Sequence, residues 1–403
     1  MSHDHSALIG QLRELLTHQR FSPVVIHNYC RSAEYFLEYL SRLEVPVEKA
    51  TPAQVSSYLR YAIRLFKQCH GRAPAEYWHS IPRAGIHALL RMVQGKWPPE
   101  EPPATAGEAV CRRVCDEYEE HLRVERGLAE ASIYALMWEG RHFLAWYIGR
   151  TLATHFRKLN IKDIDHYFEM RARRLRRRSL KDVAERLRSL AHFLHESGRV
   201  GIDLAPRIIN PIMYAYESIP SALTADQITA VLKHTRKDRS PIGLRDYAIL
   251  LLLSTYGLRS GEINRLRIED IDWRAEILHI RHSKSGTQSK LPLVPEVGNA
   301  LLDYLRRGRP KTEVREVFIR TRAPYRSMVH IYSEVRRRLH AAGKSGPHTF
   351  RHARAVSMLR ASVPRKLIGD LLGHRSEEAT LAYLKLAIED LRAIALEIPE
   401  ARP

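Results

Sequence analysis

Cysteine is scarce: Cys30, Cys69, Cys111 and Cys115 are the only four in 403 residues, too few and too irregular for a disulfide framework. A small stapled secreted fold is excluded, and a reducing compartment fits. Cys111 and Cys115 stand four apart in a helix-like stretch with His121 beyond. No second ligand pair follows at zinc spacing, so ordinary helix thiols are expected and no metal. Long apolar runs are missing too. The longest, Ala248 to Leu253, falls far short of the ~20 residues a membrane span needs. The polar start Met1-Ser2-His3-Asp4 lacks a signal-peptide core. These absences lead us to expect a cytoplasmic protein with no membrane association.

Acidic residues are in deficit. Asp plus Glu number 45 against 65 Lys plus Arg, a net charge of +20, which draws a polyanion to the surface by counterion release. Nucleic acid is therefore the first partner to weigh. With 44% apolar and 27% charged residues the chain can bury real cores, and its length accommodates two or three domains. Two proline-dense stretches, Trp97 to Pro103 and Pro206 to Pro220, read as linkers. They divide the chain into residues 1–97, 104–205 and 218–403.

The first two parts read as all-helical. Phe36-Leu37-Glu38-Tyr39 is echoed by Phe143-Leu144-Ala145-Trp146, and Val55 with Tyr58-Leu59 by Ile164 with Tyr167-Phe168. Either one helical unit is present twice, or two unrelated bundles share the usual amphipathic period. The densest basic run, Arg171, Arg173, Arg174, Arg176, Arg177 and Arg178, lies in the second part. Arginines on successive helical turns repel one another unless a polyanion is near, so the run is read as a phosphate-contacting stripe.

The third part mixes periods. Thr224-Ala225-Asp226-Gln227 is a capping box opening a helix, Arg245 to Tyr256 is an apolar core helix stopped by Gly257, and Ile277 to His282 with Lys290 to Val294 reads as a β-hairpin. The expected class is α+β, mainly α: two helical N-terminal domains, then a mostly helical domain with a small antiparallel sheet.

Chemistry-bearing residues gather in this third part. Arg259 stands where one helix ends and another begins, and Glu262, three residues on, can hold it by a charge-assisted bond. A structural ion pair would look the same. Lys284 lies at the hairpin tip, placed either as a proton donor or as a solvated turn lysine. His348 and Arg351 are one helical turn apart and can converge on one anion. His374 follows Leu371-Leu372-Gly373, and Ser376-Glu377-Glu378 reads as a helix start that sets Tyr383 about two turns inside the next helix.

In this order and context, residues 222 to 392 resemble the catalytic domain of the tyrosine recombinase (phage integrase) family. The resemblance rests on Gly257-Leu258-Arg259-Ser260-Gly261-Glu262-Ile263, Lys284, His348-Thr349-Phe350-Arg351-His352, Leu371 to Ser376, and Thr380 to Tyr383. Leu384-Lys385 departs from the Thr-His pair frequent after the family's tyrosine. Residues 108–205 look like the family's core-binding domain. The resemblance implies catalytic Arg259, Lys284, His348, Arg351, His374 and Tyr383, with Glu262 in support. It also implies a 3′-phosphotyrosine on Tyr383, no metal, ATP or other cofactor, and double-stranded DNA carrying specific sites as partner. A homo-tetramer on synapsed DNA is implied, from a free monomer or dimer. The apolar face of Ala387 to Ile398 would then link subunits or pack on its own domain.

Two rivals remain at this level. A type IB topoisomerase or a hairpin-forming telomere resolvase shares the chemistry, and a relaxing topoisomerase would act as a monomer on any supercoiled DNA. A basic helical regulator would use the same residues only to hold phosphates. The DNA target, the biological setting and the role of residues 1–97 are not written in the sequence.

Overall fold

The computed structural model describes residues 5–153, 155–213, 222–282, 287–340 and 346–373. By its contacts the chain divides into two compact units, residues 100–218 and residues 1–99 with 219–403, so the breaks fall at the two proline-bearing stretches. Among the described residues no helix is long and apolar enough to cross a membrane.

Residues 5–97 form four helices, α1 (Ser6–His18), α2 (Pro23–Arg42), α3 (Pro52–His70) and α4 (Ser80–Gln94). Local chemistry sets their ends. The Ser22 hydroxyl accepts from the Val25 amide with Pro23 at the first helical position, and a Thr51–Gln54 capping box opens α3. Gly71, at φ +65°, closes α3 in the left-handed conformation. Leu12, Phe36, Leu37, Val55, Ile86 and Leu89 fill the space between the helices.

Residues 100–218 repeat the arrangement with α5 (Ala106–Glu120), α6 (Glu130–Thr151), α7 (Ile161–Ala172) and α8 (Arg177–Glu196). Thr105 caps α5 and an Asn160–Asp163 box opens α7. The core holds Tyr118, Phe143, Tyr147, Tyr167 and Leu190. Within it the wholly buried Glu139 carboxylate accepts from the Tyr167 hydroxyl at 2.6 Å and from Arg171 Nη2 at 3.3 Å, which satisfies a charge that burial alone would make costly.

The C-terminal part is built around α10 (Pro241–Tyr256), preceded by α9 (Ala225–Arg236). The Thr224–Gln227 box forms as the sequence indicates. Helix α10 starts four residues before the expected Arg245, because the Ser240 hydroxyl accepts from the Gly243 amide and Pro241 fits the first turn. It is apolar on all sides, so neighbours surround it. After α11 (Ser260–Asn264) come β1 (Ile271–Asp272), β2 (Ile277–Arg281) and β3 (Gln288–Pro292), an antiparallel sheet in the order β1-β2-β3. Ile277 faces Pro292 and Arg281 faces Gln288.

The expected second strand, Lys290 to Val294, is thus corrected by two residues toward the hairpin tip. Backbone pairing continues across polar Gln288 and Ser289, which hydrophobic alternation does not mark, while the Val294 amide donates to the Tyr256 hydroxyl instead of a strand. The remaining helices are α12 (Pro295–Asp303), α13 (Tyr332–Leu339), α14 (His348–Arg360) and α15 (Arg365–Leu372). The expected tail helix Ala387 to Ile398 lies outside the described residues. Mostly helical with one small antiparallel sheet, this is the α+β class the sequence indicates.

Candidate active site

Two arginines from distant parts of the chain meet at the C-terminal end of α15. Arg259 occupies the N-cap of α11, and its Nη2 donates to the Gly373 carbonyl at 2.8 Å. Arg351, on the first turn of α14, donates from Nη1 to the Gly257 carbonyl at 2.9 Å and from Nη2 to the Leu372 carbonyl. These acceptors belong to helix ends, where the last carbonyls have no partner within the helix. Gly257 closes α10 and Gly373 closes α15, both left-handed at φ +65° and +62°. Two helix termini therefore serve as anchors for two guanidinium groups.

Glu262 fixes Arg259 from the other side. Its buried carboxylate accepts from the Arg259 amide at 2.8 Å and from Arg259 Nη1 at 3.0 Å. The same oxygen that takes Nη1 lies 2.8 Å from Nδ1 of His282, and His282 Nε2 lies 2.8 Å from the Ser289 hydroxyl. Burial pushes the Glu262 carboxyl up, but hydrogen bonds from His282 and from the Arg259 amide and guanidinium outweigh it and hold the group below the usual glutamate range. An ionised carboxylate only accepts, so Nδ1 of His282 is the donor in this bond. At Gly373 a Cβ would come within 2.6 Å of that imidazole, so close approach and a positive φ both demand glycine there. The Tyr256 hydroxyl donates to the Pro292 carbonyl at 2.7 Å and ties the end of α10 to β3.

His348 opens α14 one turn before Arg351, is exposed, and has its ring 6.3 Å from that of His352. Burial, then the positive potential of His348 and Arg351, push the His352 imidazole down to about 4. The site is thus an anchored pair of cations beside an exposed histidine, which suits a bound anion.

Residues 221–389 match the phage integrase family. The integrase/recombinase y4gC of Sinorhizobium fredii (strain NBRC 101917 / NGR234) is 61% identical over 186 residues, which are 45% of this chain and 97% of that protein. Integrase/recombinase y4rA of the same organism is 36% identical over 289 residues, 70% of each chain. The chain belongs to the phage integrase family. It is a tyrosine-type site-specific recombinase. Among solved structures, the XerH site-specific recombinase bound to palindromic difH substrate in a post-cleavage complex aligns at TM-score 0.56 and 15% identity. That alignment covers 84% of this chain and 93% of XerH, a likeness of fold.

Of the six catalytic positions expected in this recombinase, Arg259, His348 and Arg351 are described, and Glu262 with them. Lys284, His374 and Tyr383 lie outside the described residues, although the family match spans all three. His282 was not anticipated. Its signal was the alternation Leu278, Ile280, His282, which carries the buried face of β2 one residue past the strand and places a histidine where an apolar residue is expected. The basic run is not one helical stripe, because it straddles the turn from α7 to α8. Arg173, Arg174, Arg176, Arg177 and Arg178 are exposed. Arg171 instead points inward to Glu139, with its guanidinium 5.0 Å from the Trp138 ring centre.

Proposed function

We propose that this recombinase cleaves and rejoins duplex DNA at specific sites through a 3′-phosphotyrosine on Tyr383. The Tyr383 oxygen attacks the scissile phosphorus while the bond to the 5′ oxygen breaks. Lys284 gives that leaving oxygen its proton, and His348 takes the proton of the tyrosine hydroxyl. Arg259, Arg351 and His374 donate to the non-bridging oxygens as charge builds there. One phosphoester is exchanged for another, so rejoining is the reverse attack by a 5′ hydroxyl and needs no ATP.

The observation that carries the reading is the shared anchorage of Arg259 and Arg351 on the consecutive carbonyls of Gly373 and Leu372. His374 is the next residue in the sequence. The exposed arginines Arg173, Arg174, Arg176, Arg177 and Arg178 contact phosphates outside the cleaved one. The working assembly is a homo-tetramer on synapsed DNA in the cytoplasm, in keeping with a solved lambda integrase tetramer on a Holliday junction, similar in fold at TM-score 0.52 and 17% identity.

Nicked duplexes from the flanks of the gene provide the test. Wild-type protein should form a denaturation-resistant DNA adduct that Tyr383→Phe does not form. Adduct formation by the Phe variant would remove Tyr383 from the mechanism.

A further inference from the structure

The two helical parts are one unit present twice. Each has four helices, with the second packed against the fourth, and each third helix opens with a capping box, Thr51 with Gln54 and Asn160 with Asp163. Buried Val47, Ala50, Val55 and Tyr58 recur 109 positions on as buried Phe156, Leu159, Ile164 and Tyr167. On the second helices, Cys30, Phe36 and Leu37 recur 107 positions on as Met137, Phe143 and Leu144. The side-chain geometry repeats as well. Phe36 meets Tyr58 edge-on at 5.4 Å and 72°, and Phe143 meets Tyr167 at 5.2 Å and 88°. Tyr39 meets Tyr58 at 5.4 Å and 61°, and Trp146 meets Tyr167 at 5.3 Å and 62°. Unrelated bundles sharing only an amphipathic period would not reproduce two ring pairs at the same register.

The copies differ inside. Ser32 and Ala62 stand where the second copy has Glu139 and Arg171, and a cavity of about 570 Å³ opens there beside Tyr58. Corresponding exposed positions are nonetheless alike in charge, on the last turns of α3 in the first copy and in the α7–α8 turn in the second. Arg60, Arg64 and Lys67 are exposed at helical spacing on α3, and Arg64 and Lys67 correspond to the exposed Arg173 and Arg176. Arg60 has no basic counterpart, since Glu169 occupies that place. Three cations on successive turns of one helix raise its energy unless an anion lies along it.

We propose that residues 5–97 are a second duplex-DNA-binding unit, which contacts backbone phosphates through Arg60, Arg64 and Lys67. The proposal rests on the reading that the second copy's arginines contact phosphates. It extends the protein's footprint beyond what one copy and the catalytic part reach.

The test uses full-length protein and a mixed-sequence duplex of about 60 base pairs, with affinity measured against salt concentration. Each lost phosphate contact lowers the log–log slope by about 0.9, so Arg60→Gln/Arg64→Gln/Lys67→Gln should lower it by about 2 to 3. Arg173→Gln/Arg176→Gln should lower it by about 2. All five positions are exposed, and an unchanged melting temperature confirms that the variants fold. If only the second-copy variant lowers the slope, the proposal is overturned and the reading of the second copy stands. If only the first-copy variant does, the proposal stands and that reading fails. If neither does, both fail.

Discussion

Nδ1 of His282 lies 2.8 Å from Oε1 of Glu262, the oxygen that also binds Arg259. A buried imidazole just after β2, where the hairpin turn begins, thereby supports a guanidinium at the N-cap of α11, and in the sequence it stands two residues before Lys284. His282→Leu would leave the carboxylate without one donor, a loss of about 2 kcal/mol of stability and about tenfold in cleavage rate with DNA affinity retained. His282→Asn, which can still donate to Glu262, should recover most of the rate. Chemical denaturation and single-turnover cleavage read both quantities. Equal rates for Leu and wild type would show that His282 has no positioning role.

Arg351 uses both terminal nitrogens on backbone carbonyls, which fixes the plane of its fork. A lysine keeps the charge but not the plane. Arg351→Lys should therefore bind DNA within about twofold of wild type yet cleave about 100-fold more slowly or worse. A parallel fall in binding and cleavage would make Arg351 a general phosphate contact instead.

At Gly373 the sequence and the packing impose the same requirement from two directions. Gly373→Ala brings a Cβ to within 2.6 Å of the His282 ring and forces a left-handed φ on an L-residue, worth about 1–2 kcal/mol for the backbone alone. Its melting temperature should drop, and cleavage should fall further than in a surface control such as Gly201→Ala, whose Cβ meets nothing. Matching behaviour of the two variants would contradict the packing account.

How much of this was legible beforehand varies with the kind of signal. Caps and helix ends were, since Thr224, Gln227 and Gly257 act through their own side chains or lack of one, and the Arg259–Glu262 bond follows from spacing on a single turn. Strand β3 was misplaced by two residues because ladder bonds pass through polar Gln288 and Ser289 without a hydrophobic mark. His282 is hidden in the sequence because its role depends on Glu262, twenty residues earlier, and Arg171 differs from its arginine neighbours only through the buried Glu139 beside it. Long-range pairing decides both, and periodicity does not encode it.

The depressed His352 imidazole gives a pH dependence with a definite sign. Its folded pKa of about 4 lies below the ordinary value of 6.5, so between those values the unfolded chain binds more protons than the folded one. The stability it contributes is complete above the ordinary value and declines as pH falls toward 4. Thermal melts from neutral to acid pH should fall less steeply in His352→Gln than in wild type. Superimposable slopes would mean that His352 does not titrate in this way.

The mechanism fixes both the polarity and the site of the covalent bond. A trapped adduct, digested with protease, should yield a nucleotide-bearing peptide modified at Tyr383, and the released DNA end should accept label from polynucleotide kinase without prior phosphatase treatment, as a free 5′ hydroxyl does. Modification of another residue, or a released end that needs phosphatase before it can be labelled, would contradict the 3′-phosphotyrosine mechanism.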